Sequence, residues 1–306
     1  MITYAALVLF CSFALEQLFG EYPNRIHPVV WMGTLMGKLY QTLDHRQKNT
    51  QIFFGWVFAV LGPIILILLF LSVRSLLPHL SLQFLYDVFF LRSTFALKAL
   101  GAAHNKVAKR VQGNELGGDI LRELCSRDSS KLSANEIRSA SISSVAENLS
   151  DSFIAPILYY FFFGIPGALA YRYINTADAM FGYKDHRRWL GQGAAIIDDL
   201  ANYMSARLTA LLMLFTGVFA PKSRPLRGFR TLIRDYGKTP SPNGGWPMSS
   251  MAGLLGVSLK KVGVYQLGDS MRTIDHQSMR ECWKIANITG YLFVCLVLMF
   301  VQGAIF

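Results

Sequence analysis

Glu147 and Asp151 stand four residues apart in Ser144-Val-Ala-Glu147-Asn148-Leu-Ser-Asp151. On a helix that spacing puts both carboxylates on one face, with Asn148 beside them. Hard oxygens of this kind suit Mg²⁺, which takes one or two carboxylates and completes its shell with water and phosphate. The same spacing also fits an exposed helix face or an acidic partner for the dipole of the next apolar helix. A second cluster, Asn175-Thr-Ala-Asp178, follows directly on an apolar run and leads to Gly182-Tyr-Lys184. A third, Asp198-Asp199-Leu-Ala-Asn202, lets either aspartate share a face with Asn202. Nearly two turns on, Arg207 lies inside an apolar run. A cation there needs a partner or a water-filled cavity, or must snorkel along its own stem to the interface. The fourth cluster is the turn Ser241-Pro-Asn243-Gly-Gly-Trp-Pro247. Consecutive glycines let backbone N–H groups approach a phosphate as a nest, and they equally suit a plain surface turn. Carboxylates, amides and cations in this density suggest phosphoryl or nucleotide chemistry with Mg²⁺ at a membrane face. There is no GxxxxGK[ST] loop and no strand-preceded GxGxxG. His27 and His186 stand alone, with no second histidine at a ligand spacing.

The elements that must position these groups are apolar. Of 306 residues, 52% are hydrophobic and 16% charged, against about 25% charged in an ordinary soluble domain. That excludes a disordered chain, a coiled coil and a soluble domain with a charged shell. The net charge is +11. In an apolar chain this reflects Lys and Arg held in cytoplasmic loops beside anionic lipid, so the predicted partner is the lipid bilayer and not nucleic acid. Cys11, Cys125, Cys282 and Cys295 are scattered without a CxxC, which speaks against a structural zinc or a disulfide framework.

Four segments read as membrane spans: 3–19, 52–73, 85–100 and 288–305. The first lacks the basic start and small-residue site of a cleaved leader. The second is uncharged over 22 residues, enough for roughly 30 Å of hydrocarbon. Segments 153–174 and 203–220 are ambiguous, because Gly164-Ile-Pro-Gly167 breaks one and Arg207 interrupts the other. If all six cross, one side carries 22 basic loop residues and the other 4, which makes the first side cytoplasmic. That topology separates loop 175–202 from the other polar loops. A re-entrant hairpin at 153–174, with 203–220 also turning back, returns every large polar segment to the cytoplasmic face. The predicted fold is therefore all-α: a polytopic helical membrane protein over 1–306 as a single integral membrane domain, with four to six membrane segments and helical cytoplasmic loops. Ser133-Ala-Asn-Glu136 is a capping box that opens a helix running to about Ser152.

Several stretches, in order and covering residues 16 to about 268, resemble one known family. They include His27-Pro-Val-Val-Trp-Met-Gly33, Arg127-Asp128, Ala146-Glu-Asn148, Ala155-Pro156, Pro166-Gly-Ala-Leu-Ala170, Tyr171-Arg-Tyr-Ile-Asn-Thr-Ala-Asp178, Gly182-Tyr183, Asp198-Asp-Leu200, Ala206-Arg-Leu-Thr-Ala-Leu211, Ser241-Pro-Asn243, Gly245 and Met251-Ala-Gly253. The pattern is similar to the CobD/CbiB family of cobalamin-biosynthesis membrane proteins, the adenosylcobinamide-phosphate synthases. The resemblance implies ATP-dependent ligation of adenosylcobyric acid, a corrinoid, to 1-amino-2-propanol or its O-phosphate, with ATP and Mg²⁺ as cofactors. It also implies an inner-membrane location, with other late corrin-pathway membrane proteins as possible neighbours. On that reading Glu147, Asp151, Asp178, Asp198 and Asp199 are catalytic candidates, and Glu147, Asp151 and Asp199 are the Mg²⁺ candidates. Lys184, Arg207 and Ser241 would hold phosphate or substrate, and Asn148, Asn175, Asn202 and Asn243 would orient substrate amides or phosphate. The chain departs from the family pattern at Gly20-Glu-Tyr-Pro23, at Ser143 and Met248, where the family carries Glu, and at Asp151-Ser152. A non-catalytic sensor or regulator of the same family is the rival reading. A small-solute transporter is a third, disfavoured because the polar motifs cluster in loops.

Overall fold

A computed structural model describes residues 3–43, 46–115, 120–125, 132–182 and 188–303. Among these the chain forms α1 (Tyr4–Phe19), α2 (Pro28–Leu43), α3 (Lys48–Ser75), α4 (Leu80–Arg92), α5 (Leu97–Gln112) and α6 (Ala134–Leu149). After one π turn at Ser150–Ile154 come α7 (Ala155–Phe181), α8 (Arg188–Phe219), α9 (Pro225–Asp235), α10 (Gly245–Leu255) and α11 (His276–Gly303). The described strands are β1 (Leu259–Lys261) and β2 (Tyr265–Leu267), an antiparallel hairpin with Leu259 opposite Leu267. The fold is thus all-α, as the sequence predicts. Three helical stretches are long and apolar enough to cross a membrane: Lys48–Ser75, Ala134–Phe181 and His276–Val301, with Tyr4–Phe19 a shorter apolar helix. Only 17% of the most apolar window of α3 is buried within the protein. Phe53, Ile65, Leu68 and Leu69 of that helix face outward, a surface for a bilayer to cover.

One expected span and one ambiguous segment are interrupted helices. Segment 85–100 is not one helix, because α4 stops at Arg92 and α5 starts at Leu97. The Ser93 and Thr94 hydroxyls donate back to the Phe90 and Leu91 carbonyls at 2.7 Å each, replacing the bonds that would continue the helix. Segment 153–174 folds on itself. Gly164 sits at φ 63°, ψ −161° inside α7, a conformation open to glycine and strained for other residues. Tyr159 stacks on Tyr171 with ring centroids 5.1 Å apart, whereas twelve residues of straight helix would separate them by about 18 Å. The chain therefore turns back on itself at Gly164. Segment 203–220 lies in α8, an unbroken helix of 32 residues.

The chain, read from sequence as one domain, divides into two compact units. The first comprises Met1–Ala96, Ala155–Asn202 and Leu296–Phe306; the second comprises Leu97–Ile154 and Tyr203–Cys295. In the first unit, the acidic residue that interrupts segment 85–100, Asp87, is paired. Asp87 is buried; it accepts from Tyr4 Oη at 2.7 Å and from Arg74 Nε at 2.9 and 3.0 Å. An acidic side chain in an apolar helix is tolerable on those terms, and the bonds tie α1, α3 and α4 together.

In the second unit, the predicted capping box opens α6: Ser133 N–H donates to Glu136 at 2.8 Å and Glu136 N–H to Ser133 Oγ at 3.4 Å. Buried His104 joins α5 to α6 and α11, bonding Ser141 Oγ at 2.8 Å and the Met279 carbonyl at 2.9 Å. Asp235 closes α9 onto the hairpin, accepting from Arg234 at 2.8 Å and from the Gly268 N–H at 2.7 Å. Burial alone would raise the pKa of Asp235. The bonds from Arg234, Lys238 and Gly268 outweigh it and hold the carboxyl well below its ordinary 3.8. A depressed folded pKa contributes stability that is present above the unfolded value and lost as pH falls through the folded one. Asp235→Asn should therefore melt several degrees below the parent protein in detergent at neutral pH. The gap should narrow as pH drops from about 5 to about 3, and a pH-independent gap would contradict this account.

Candidate functional site

Each unit gathers its own polar constellation. In the first unit, α7 and α8 bring together residues 23 positions apart in the chain. Asp198, buried, accepts from Asn202 Nδ2 at 2.9 Å and from Asn175 Nδ2 at 3.3 Å. Asn202 Oδ1 in turn accepts from Tyr171 Oη at 2.7 Å, and Asn175 Oδ1 from Arg172 at 3.3 Å. Burial first and then the nearby Asp178 charge push the Asp198 carboxyl up to about 7, against the opposing pull of the two amide donors. A carboxyl poised there can hold or take a proton near neutral pH. Asp199, partly exposed, is the next residue on α8. The ends of α7 and α8 meet at Gly191, where a Cβ would collide with the Phe181 carbonyl oxygen. Sequence spacing pairs Asn175 with Asp178 and Asp198 with Asn202; the structure joins the two pairs.

In the second unit the centre is Arg207. Its guanidinium carbon lies 3.3 Å from the Tyr203 ring centroid and 4.5 Å from that of Trp246. Nη1 donates to the Tyr203 carbonyl at 2.7 Å and to Asn243 Oδ1 at 3.4 Å. Among the described residues Arg207 makes no ion pair with a carboxylate. Its partners are aromatic faces and neutral oxygens, so its charge is placed but not neutralised. The predicted turn Ser241–Pro247 runs into the first turn of α10, whose cap is Gly244. Ser241 Oγ accepts from the Asn243 N–H at 3.2 Å and so shapes that turn. Glu147 comes against it: a Cβ on Gly244 would lie 2.8 Å from Glu147 Oε1. A carboxylate beside the start of α10 is favoured by the exposed N–H groups and the helix dipole. The backbone is helical from Glu147 through Asp151, so these two keep the common face that their spacing predicts. Asn148 is used within the protein, its Nδ2 donating to the Ser144 carbonyl at 2.9 Å and the Leu124 carbonyl at 3.3 Å. Its contacts make it a brace for α6. Lys184 lies outside the described residues.

Gly244→Ala is expected to leave folding intact, because Glu147 is the end of a flexible side chain and can swing aside. The carboxylate would be displaced from the first turn of α10, and an unchanged melting temperature checks that folding survives.

Among the described residues no three His, Cys, Asp or Glu side chains gather as a metal group. The predicted set is divided, with Glu147 and Asp151 in the second unit and Asp199 in the first. Mg²⁺ needs only one or two protein carboxylates when phosphate and water complete its shell. Two all-oxygen pairs fit that demand: Glu147 with Asp151 on one helical face, and Asp178 with Asp198, close enough for one charge to act on the other.

Several participants escaped sequence reasoning. Tyr171 of α7 orients Asn202 of α8, a contact that no local spacing reveals. Tyr203 was accessible, standing four before Arg207 on the same helix face. Ser143 and the α10 hydroxyls Ser249 and Ser250 are buried, with Oγ atoms that have no hydrogen-bond partner among the described residues. Nothing in a serine-rich helix sequence marks which hydroxyls will be left unpaired.

The family described as CobD/Cbib protein matches the chain over residues 9–290. The cobalamin biosynthesis protein CobD of Dehalococcoides mccartyi (strain CBDB1) is 33% identical over 297 residues, 95% of each chain. The probable cobalamin biosynthesis protein CobD of Methanocaldococcus jannaschii is 32% identical over 300 residues, covering 95% of this chain and 96% of its own. That of Methanothermobacter thermautotrophicus is 36% identical over 296 residues, 94% of each chain. No solved structure matches this chain. A helical membrane fold, the matched motifs in their positions and full-length similarity agree: the chain belongs to the CobD/Cbib family of cobalamin biosynthesis proteins.

Proposed function

We propose that this protein joins adenosylcobyric acid to 1-amino-2-propanol or its O-phosphate through a new amide, making adenosylcobinamide or its phosphate at the cytoplasmic face of the cell membrane. The observation that carries the reading, beside family membership, is Arg207. Its guanidinium is held between the Tyr203 and Trp246 rings, beside Asn243 and the first turn of α10. A placed cation next to a helix N-terminus is suited to an anionic group, phosphate above all. ATP with Mg²⁺ would supply the phosphoryl group that activates the propionate carboxylate. Arg207 and Asn243 would hold negative charge in place, and Glu147 would serve as a protein ligand of the metal. In the first unit Asp198, its two oxygens held by Asn175 and Asn202, is suited to take a proton. The rival, a regulator of the same family, draws on one observation. Ser143 and Met248 are buried near Glu147 and Gly244, so that part of the second unit is less acidic than the family pattern.

The test is a ligation assay on detergent-purified protein with adenosylcobyric acid, ATP, Mg²⁺ and either amine, followed by product mass. An ATP-dependent amide is the expected result, and it identifies the amine. No product, beside an active family member run in parallel, would reject the ligase reading in favour of the regulator.

A further inference from the structure

Helix α9 has three distinct faces. At about 100° per residue, Gly228, Thr231, Leu232 and Asp235 form one stripe, and all four are buried. Leu226, Phe229 and Ile233 form a second, 65%, 50% and 55% exposed. Arg227, Arg230 and Arg234 form a third. The stripes lie roughly 120° apart, so only one of the three is explained by packing. The helix follows directly on the end of α8, where Phe215, Val218 and Phe219 are also exposed. Beside the arginine stripe is a cavity of about 490 Å³ lined by Arg224, Arg227, Arg230, Thr231, Arg234 and Asp269. Asp269 is the acidic residue of that lining. It pairs with Arg234 at 2.9 Å and with Arg227 at 3.9 Å, which leaves the cavity with an excess of positive charge.

An apolar stripe next to an arginine stripe on one short helix matches a bilayer interface, with acyl chains on one side and anionic headgroups on the other. We propose that α9 lies in the membrane surface, with Leu226, Phe229 and Ile233 among the acyl chains, and that the arginine-lined cavity binds the phosphate headgroup of an anionic phospholipid. A soluble phosphate ligand would use the arginines and leave the apolar stripe in water. The stripe is therefore the feature that favours lipid. The proposal is independent of the ligase reading, because it uses none of the residues assigned to that site.

The experiment is thermal unfolding of the delipidated full chain in a neutral detergent, titrated with phosphatidylglycerol, phosphatidylcholine or inorganic phosphate. A ligand that binds the native state raises its melting temperature. Phosphatidylglycerol should stabilise the protein, with salt weakening the effect; phosphatidylcholine and inorganic phosphate should not match it. Arg227→Gln with Arg230→Gln should weaken the phosphatidylglycerol effect roughly 20- to 30-fold in apparent affinity, from about fivefold per basic residue at an anionic surface. Leu226→Ser with Phe229→Ser, both exposed positions, should weaken it as well, and serves as the second variant if the first folds poorly. Equal stabilisation by phosphatidylcholine would overturn the proposal. So would an equal effect of inorganic phosphate, which would mark a soluble-anion site, or a full phosphatidylglycerol effect in both variants.

Discussion

Arg207→Ala should lower kcat/KM for ligation about 10²- to 10³-fold, the usual cost of removing one placed donor from a developing negative charge. Its melting temperature should move little, because Arg207 is half-exposed and pairs with no carboxylate among the described residues. Arg207→Lys is the informative companion. An ammonium keeps the charge but cannot lie flat between the Tyr203 and Trp246 rings or reach Asn243 in the same plane. If the guanidinium's geometry matters, lysine should recover only a small part of the lost activity. Trp246→Leu should then show a milder form of the same defect, since it removes one wall and leaves the cation. Full activity in Arg207→Ala would remove the main structural support for a phosphate site in the second unit.

The second large effect is expected at Gly191. A Cβ there meets the Phe181 carbonyl oxygen, a backbone atom of the last residue of α7. A side chain could rotate away; the backbone cannot, so α7 and α8 must move apart. Overpacking of that kind costs typically 1–3 kcal/mol and occasionally more. Gly191→Ala should unfold several degrees lower than the parent protein. It should also lose ligation activity beyond what the lost stability explains, because α7 carries Asn175 and Asp178 while α8 carries Asp198 and Asn202. Gln192→Ala, one residue along and exposed, is the control and should change neither. If Gly191→Ala keeps parental melting and activity, the α7–α8 approach does not set the spacing of the carboxylates.

Much of this protein is legible in its sequence, for local reasons. Helical class follows from apolar runs too long for strands and too poor in charge for water. Ser133-Ala-Asn-Glu136 opens α6 because a hydroxyl and a carboxylate three residues apart satisfy each other's backbone donors. The Gly164 break is visible because few residues besides glycine reach that backbone conformation, and Glu147 and Asp151 share a face because helical geometry is periodic. What tertiary structure decided are the contacts between segments distant in the chain. Segment 85–100 reads as one apolar run, yet two hydroxyls at Ser93 and Thr94 end a helix inside it. Asp87 looks like an obstacle to membrane burial until Arg74 and Tyr4 reach it. The four polar clusters carry no information about which of them meet. Asp198 finds Asn175 because α7 and α8 close on Gly191, and Arg207 finds Trp246 because α10 packs beside α8. Spacing along a chain fixes what one helix presents on each face; which face meets which is settled by packing, and packing depends on side chains that lie far apart in the sequence.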